Sequence, residues 1–286
     1  MGPELHTLRL VPRPPSGLEE IEIALLLEGV FRRYGFDFRE YARTALRRRI
    51  LERVREEQAL TVSRLQEKLL RDPRCFERFV TAVSANVTTL FRDPPSYRVF
   101  RSRIVPWLRG RARVRLWHVG CANGEEVYSM AVLLQEEGLE ERTQVYATDL
   151  HEATLRQAAA GVFPLDRLRA AELSYRAAGG RASLSDYYRV EAGQGVFRPE
   201  LRRNVLFAAH NLVTDGSFNE FDVIFCRNVL PYLSHGLQSR VHRLLYDSLA
   251  CPGFLALGRR EDLKLTPFEG RYAPIDSRNG FFRRVR

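Results

Sequence analysis

From Val114 onward the chain repeats one pattern: a short, nearly all-apolar run ends in a turn, and a helical stretch follows. Val114-Arg-Leu-Trp-His-Val119 reads as a strand running into a glycine-containing turn, and residues 124–137 read as helix. Residues 145–148 form the next strand and Glu152–Ala160 the next helix. Further strands fall at Val205–Ala209, 222–226 and 254–257, with a strong helix over 236–249 between the last two. Strands this apolar have no face fit for water, so both faces of their sheet need helices over them, and crossover helices make neighbouring strands parallel. The fold expected is α/β, built on a mostly parallel sheet.

The first part of the chain follows a different grammar. Residues 18–31 are one amphipathic segment, broken near Gly35. Asp37 is a candidate N-cap for a helix running through Tyr41 to about residue 57. Thr61 can cap a third helix that ends before Asp72-Pro73, with Arg64 standing where a capping box has Glu. A fourth helix covers 75–84. This predicts a small all-helical domain over 18–85, a linker over 86–107 and the α/β domain over 108–286. Residues 1–17, with Pro3, Pro12, Pro14 and Pro15, read as a flexible leader. Residues 166–200 hold Gly179-Gly180, Tyr187-Tyr188, Gly193 and Gly195, and read as a small inserted subdomain with a hairpin or helix.

Composition narrows the classes of partner. Of 286 residues, 45 are Lys or Arg and 35 Asp or Glu, a net charge of +10 carried almost wholly by arginine, since lysine occurs only at Lys68 and Lys264. Arginine favours flat, two-point contact with carboxylates and phosphates, so an acidic protein surface or a nucleic acid is the partner to consider. No apolar run approaches a membrane span, and Met1-Gly-Pro-Glu-Leu5 lacks the start of a signal peptide, so a cytoplasmic protein without membrane insertion is expected. Cys75, Cys121, Cys226 and Cys251 form no CxxC pair and read as buried, reduced thiols. His235 and His242 are poorly spaced for ligation, so no metal is expected.

Four strings could carry chemistry. In Val119-Gly-Cys-Ala-Asn-Gly-Glu-Glu-Val-Tyr-Ser129, Gly120 lets a ligand approach the backbone closely, and free N–H groups at the helix start can receive its polar groups. Glu125 and Glu126 make that turn acidic, which suits a cationic or hydroxyl-rich ligand better than a phosphate. Asp149 closes the second strand, where a carboxylate can hold a ribose diol or cap the following helix. Ile224-Phe-Cys-Arg-Asn-Val-Leu-Pro-Tyr-Leu233 brings Arg227, Asn228 and Tyr232 to the same sheet edge. Ser84-Ala-Asn-Val-Thr-Thr-Leu-Phe-Arg92, before Asp93-Pro94-Pro95, lies between the two halves.

Taken in order, these strings resemble the CheR-type chemotaxis receptor methyltransferases. The resemblance rests on Tyr34-Gly-Phe-Asp-Phe-Arg-Glu-Tyr41, Arg48-Arg49-Ile50, Asn86-x-Thr88-x-x-Phe91-Arg92, Gly124-Glu-Glu-x-Tyr-Ser129, Ala147-Thr-Asp149, Asn211-Leu212 and Cys226-Arg-Asn-Val229. It implies a class I S-adenosylmethionine-dependent methyltransferase sheet behind a small helical domain, and methyl-ester formation on receptor glutamates with S-adenosylhomocysteine as product. By the same resemblance Asn86, Thr88 and Arg92 are linker residues reaching the cofactor, and Glu126 faces its positively charged methionine end. Asp149 would bind the ribose, while Asn211, Leu212, Asn228 and Val229 line the adenine and methionyl portions. Arg92 would also orient the substrate carboxylate, and Tyr232 would bound the transfer channel.

The helix after Asp37 would dock the helical, acidic cytoplasmic domain of a receptor. Leu46, Ile50 and Val54 are expected as its buried stripe, with Arg48 and Arg55 on one flank and Arg49 and Arg53 on the other. The flanking arginines either dock substrate or pair with Glu52, Glu56 and Glu57 on a solvated face. The short stretch 188–207 implies no tether for a receptor tail, and a monomer is expected. The chain departs from the family's usual pattern at Leu90, Ala122-Asn123, Val127, Pro231 and Gly258-Arg-Arg-Glu261. Two other readings stay open: a methyltransferase acting on nucleic acid or a small molecule, and a cofactor-binding regulator without turnover.

Overall fold

The structure is a computed structural model that describes residues 17–34, 36, 38–39, 41, 43–84, 88–233, 235–259, 261–264 and 266–285. The leader, Asp37 and Asn86 named above lie outside the described residues, apart from Gly17. The chain divides into two compact units, residues 1–39 with 43–79, and residues 40–42 with 80–286. Among the described residues no helix is long and apolar enough to cross a membrane.

The first unit is helical: α1 (Leu18–Tyr34), α2 (Arg43–Glu56), α3 (Val62–Arg71) and the start of α4 (Pro73–Ser84). Thr61 caps α3 as its position suggests, its hydroxyl accepting from the Arg64 N–H at 3.1 Å. The helix after Asp37 starts later than expected, at Arg43, because Tyr41 is held extended in an antiparallel bridge to Leu233. The stripe of α2 also differs. Leu46, Ile50 and Arg53 are buried, and Val54 is only half-buried. Arg53 tolerates burial because its guanidinium pairs with Glu56 and Glu57, and Glu57 in turn receives two 2.8 Å hydrogen bonds from Arg78. The Arg78 hydrogen bonds lower the Glu57 carboxyl to about 2, against the opposing effect of burial.

The second unit holds the predicted sheet. Its strands are β1 (Val114–Val119), β2 (Thr143–Asp149), β6 (Val205–Ala209), β7 (Phe221–Cys226) and β8 (Leu249–Leu257), with β9 (Tyr272–Asp276) and β10 (Phe281–Arg284) completing the order β6-β2-β1-β7-β8-β10-β9. The pairs β1–β2, β2–β6, β1–β7 and β7–β8 are parallel, whereas the C-terminal β9–β10 hairpin, which the sequence reading lacked, adds antiparallel. Side chains alternate between two apolar layers. Val114, Leu116, Val223 and Phe225 join the cluster containing α7 (Glu125–Glu136), while Trp117, Val119, Ile224 and Cys226 join that of α10 (His235–Ser248).

From Pro94 onward the linker is helical: α5 (Pro94–Val99), a wider turn at Phe100–Ile104 and α6 (Val105–Arg109) follow one another. Between α8 (Glu152–Ala160) and β6 lies the inserted subdomain. It consists of β3 (Val162–Pro164), α9 (Leu165–Ala177) and the hairpin β4 (Tyr188–Glu191) and β5 (Gln194–Phe197), forming a small antiparallel sheet in the order β3-β5-β4. Cys75, Cys121 and Cys226 are buried free thiols, but Cys251 is exposed.

Candidate functional site

The site lies within the second unit, at the C-terminal ends of its parallel strands. β1 runs into Gly120, whose φ of +64° and 2.9 Å clearance from Val229 Cγ2 to a hypothetical Cβ leave room for glycine alone. This brings the β1 turn against the segment after β7. Gly124, with φ +91°, caps α7. At the end of β2, Asp149 uses one carboxylate oxygen to accept from Ala122 N–H (3.0 Å) and the other from His151 N–H (3.2 Å). It therefore supports the turn into α8, whose N-cap is His151, and stays half-buried beside the β1 turn.

After β6, Asn211 folds on itself: its side-chain oxygen accepts from Val213 N–H and its own N–H donates to Asp215, both at 2.9 Å. Leu212 and Val229 are half-buried against the α10-side core. Asn228 adopts the left-handed conformation, φ +61°. What holds it there is Glu261, a residue the sequence reading passed over as a site. Its buried carboxylate accepts from the N–H groups of Asn228 (2.8 Å), Val229 (2.9 Å) and Leu230 (2.9 Å), and also from Gly258. Three consecutive amides on one anion make this segment a rigid wall.

Arg227 is not an open cation at the sheet edge. Its side chain is 2% exposed and bonds Glu126 (2.8 Å), Asp93 (2.9 Å) and the Arg92 carbonyl (3.4 Å). Glu126 gives its other oxygen to His118 Nδ1 at 3.0 Å. Burial raises the Glu126 carboxyl, but the charge of Arg227, the hydrogen bond and charge of His118 and the hydrogen bond from Arg227 outweigh it, and the net direction is down. Glu125, one residue earlier, faces elsewhere. It is 3% exposed, its Oε2 has no partner among the described residues, and burial pushes it up to about 7 against a backbone hydrogen bond and the attraction of Arg167. Thus one of the two adjacent acids supplies charge at neutral pH and the other is close to half protonated, which corrects the reading of both as an acidic pair.

The linker backbone is bent at Phe91 (φ +52°) and Asp93 (φ +57°), and is tied to α7 by Ser129, whose hydroxyl accepts from Phe91 N–H (2.8 Å) and donates to the Glu125 carbonyl (2.6 Å). Thr88 and Arg92 are half-buried on this segment. Tyr232 lies in the 3-10 turn Leu230–Tyr232, its side chain outside the described set. In the first unit Arg48 is exposed, 3.8 Å from Glu52, Arg55 is exposed and Arg49 half-buried. Arg53 is buried and paired, so it is not available on the flank assigned to it. No group of acids, histidines and cysteines among the described residues could hold a metal ion.

Residues 86–278 match the model of the CheR methyltransferase SAM-binding domain, and residues 21–84 match that of the CheR all-alpha domain. The chain belongs to the CheR methyltransferase family. A Pseudomonas putida protein named Cher3 is 41% identical over 265 residues, covering 93% of this chain and 97% of that one. A chemotaxis protein methyltransferase of Listeria innocua is 28% identical over 255 residues, with 88% and 93% covered. Chemotaxis protein methyltransferase 1 of Pseudomonas aeruginosa is 32% identical over 206 residues, with 67% and 71% covered. The sheet described above is thus the class I sheet of an S-adenosylmethionine-dependent methyltransferase of the CheR family, and the helical first unit falls within its all-alpha part.

Proposed function

We propose that this CheR-family protein forms methyl esters on glutamate side chains of chemoreceptor-like proteins. The observation that carries the reading is the buried cluster of Arg227, Glu126 and Asp93 beside Asp149: one cation among carboxylates, at the strand ends where open α/β sheets bind ligands. An excess of negative charge suits S-adenosylmethionine, which supplies a methyl group made electrophilic by its sulfonium. Asp149 would bind the ribose hydroxyls, Asn211 and Leu212 the adenine side, and Asn228 and Val229 the wall that Glu261 stiffens. Gly120 leaves the backbone open to close approach, and Glu126 with Thr88, Asn86 and Arg92 would meet the methionyl end.

A glutamate carboxylate is already nucleophilic at neutral pH, so no general base is needed. The protein's part is placement: holding the carboxylate in line, about 3 Å from the methyl carbon, can supply about 7–11 kcal/mol of the barrier. Arg92 would hold one substrate oxygen and aim the other, and Tyr232 would bound the channel. Arg48, Arg49 and Arg55 are the docking set for an acidic receptor helix, without Arg53. The β4–β5 hairpin closes in a tight turn at Ala192-Gly193, both with positive φ, which supports a reading with no tail tether. The protein would act as a cytoplasmic monomer, with neither nucleic acid nor metal.

Calorimetric titration with S-adenosylhomocysteine tests the site: micromolar binding is expected, and Asp149→Ala should remove about a hundredfold of it, as expected for a lost charged hydrogen-bond pair. Incubating the protein with labelled S-adenosylmethionine and receptor cytoplasmic domains tests the product. A methyl group released by mild base supports the ester; a base-stable methyl group on protein or nucleic acid would refute it.

A further inference from the structure

Arg92 stands between two residues in a conformation that side chains other than glycine rarely adopt: φ is +52° at Phe91 and +57° at Asp93. Such left-handed residues cost free energy and persist only where their surroundings over-determine them. Phe91 N–H donates to Ser129 Oγ on α7 at 2.8 Å, and the Ser129 hydroxyl donates onward to the Glu125 carbonyl at 2.6 Å. The Phe91 ring is fully buried, its centroid 5.3 Å from that of Tyr97 and 5.1 Å from that of Tyr175. The Arg92 N–H donates to the Thr89 carbonyl (3.3 Å), its carbonyl accepts from Arg227 (3.4 Å), and Asp93 gives its carboxylate to Arg227 (2.9 Å). Asp93 occupies the N-cap position of α5, where a carboxylate commonly accepts from the helix's first amides, yet it makes no such bond. The cap is forgone in favour of a tie to the strand ends.

We propose that Ser129 is a positioning residue for Arg92, its hydroxyl holding the bend against α7 so that the guanidinium meets the methyl acceptor at a fixed place. This rests on the proposed reading of Arg92 as the group that aims the substrate carboxylate. Ser129 is fully buried and uncharged, so it acts by placement and adds no charge to the site. Without its hydroxyl the Phe91 N–H would be buried with no acceptor, and the bend would relax toward an ordinary conformation and carry Arg92 with it.

The test is steady-state methylation of a receptor cytoplasmic domain by the full chain, with S-adenosylhomocysteine titration and thermal melting alongside. Ser129→Ala should lower kcat about tenfold or more, the scale on which small misplacements act, and move the KM for the receptor domain by about threefold or less. It should weaken S-adenosylhomocysteine binding no more than Arg92→Ala does. Ser129→Thr, which returns a hydroxyl, should recover most of the lost kcat. In an Arg92→Ala background Ser129→Ala should add about twofold or less, because it acts through Arg92. If the Ala variant does not fold, Ser129→Cys, of similar size but a weaker acceptor, takes its place with the same expectations. A role in stability alone would lower the melting temperature and leave kcat of the folded variant unchanged, which would overturn the proposal. No recovery by Thr, or an equal loss with and without Arg92, would overturn it too. Wild-type protein that binds S-adenosylhomocysteine yet methylates no receptor domain would refute the reading of the acceptor, and the proposal with it, a result distinct from an active enzyme indifferent to Ser129.

Discussion

Glu57 in the helical unit lies between two guanidiniums, those of Arg53 and Arg78; Glu126 in the sheet unit shares a single guanidinium with Asp93 and completes its bonding with an imidazole. In the first cluster Glu56 also pairs with Arg53, so two guanidiniums meet two carboxylates, and these charges brace helices of one unit. In the second the carboxylates exceed the cation. A brace of that kind is electrostatically incomplete, and it is found at strand ends where a cationic ligand could complete it. The contrast suggests that a charge left over, more than the number of ion pairs, separates a structural charge cluster from one fit for a ligand.

The sharpest way to break the comparison is Arg227→Met. It strands Glu126 and Asp93, so unfolding by denaturant should show a loss of about 3–5 kcal/mol, as when one partner of a buried pair is removed. A loss no larger than that of a surface pair would mean the cluster is far wetter than its 2% exposed guanidinium indicates.

Next in size is Glu125→Gln. The folded chain holds this proton up to about pH 7, and an unfolded chain releases it near 4.5, so the folded state binds more protons between those values. Wild-type stability should therefore fall as pH rises through that window. The Gln variant should lack this slope and gain up to about 3 kcal/mol over wild type at pH 8, the difference vanishing below pH 4.5. Parallel stability curves for the two proteins would contradict the burial of Glu125.

The smallest effect has the opposite sign. Glu57 is lowered to about 2, so its contribution is present above the usual carboxylate range and lost as pH falls toward 2. Glu57→Gln should cost about 1–2 kcal/mol at pH 7 after screening at the unit's edge, and the cost should shrink in acid. Urea titrations of both proteins at pH 7 and pH 3 would read this directly.

Local signals carried much of the fold. β1, α8 and β6 fall on the runs marked by their apolar pattern and flanking turns, and Thr61 caps α3 from its side chain. What stayed hidden had misleading local chemistry. Pro94, Pro95 and Pro106 look like helix breakers, yet each sits in the first turn of a short helix, where a missing N–H costs nothing. α9 carries Asp166, Arg167, Arg169, Glu172 and Arg176 and lacks a clean apolar stripe. β9 contains Pro274 and β10 ends in Arg283-Arg284, and both form through pairing at the sheet's edge rather than through their own pattern. The site follows the same rule. Asp149 and the glycines of the β1 turn could be found from their position after strands, but Arg227 looked like a free cation because its partner Glu126 is 101 residues away. Glu261 looked like a loop acid because its partners are backbone amides from a segment more than thirty residues earlier.

The adjacency of Glu125 and Glu126 has a consequence for how the chain can change. Successive helical residues point about 100° apart, so the turn from Gly120 to Gly124 sets the angular phase in which the two acids enter α7. A one-residue insertion or deletion in that turn, taken up by rotating α7, would turn both acids by about 100° and carry the Glu126 carboxylate away from Arg227. A change in the length of the turn would thus part Glu126 from its guanidinium, so length, together with the glycines at its two ends, is what this turn is least free to change.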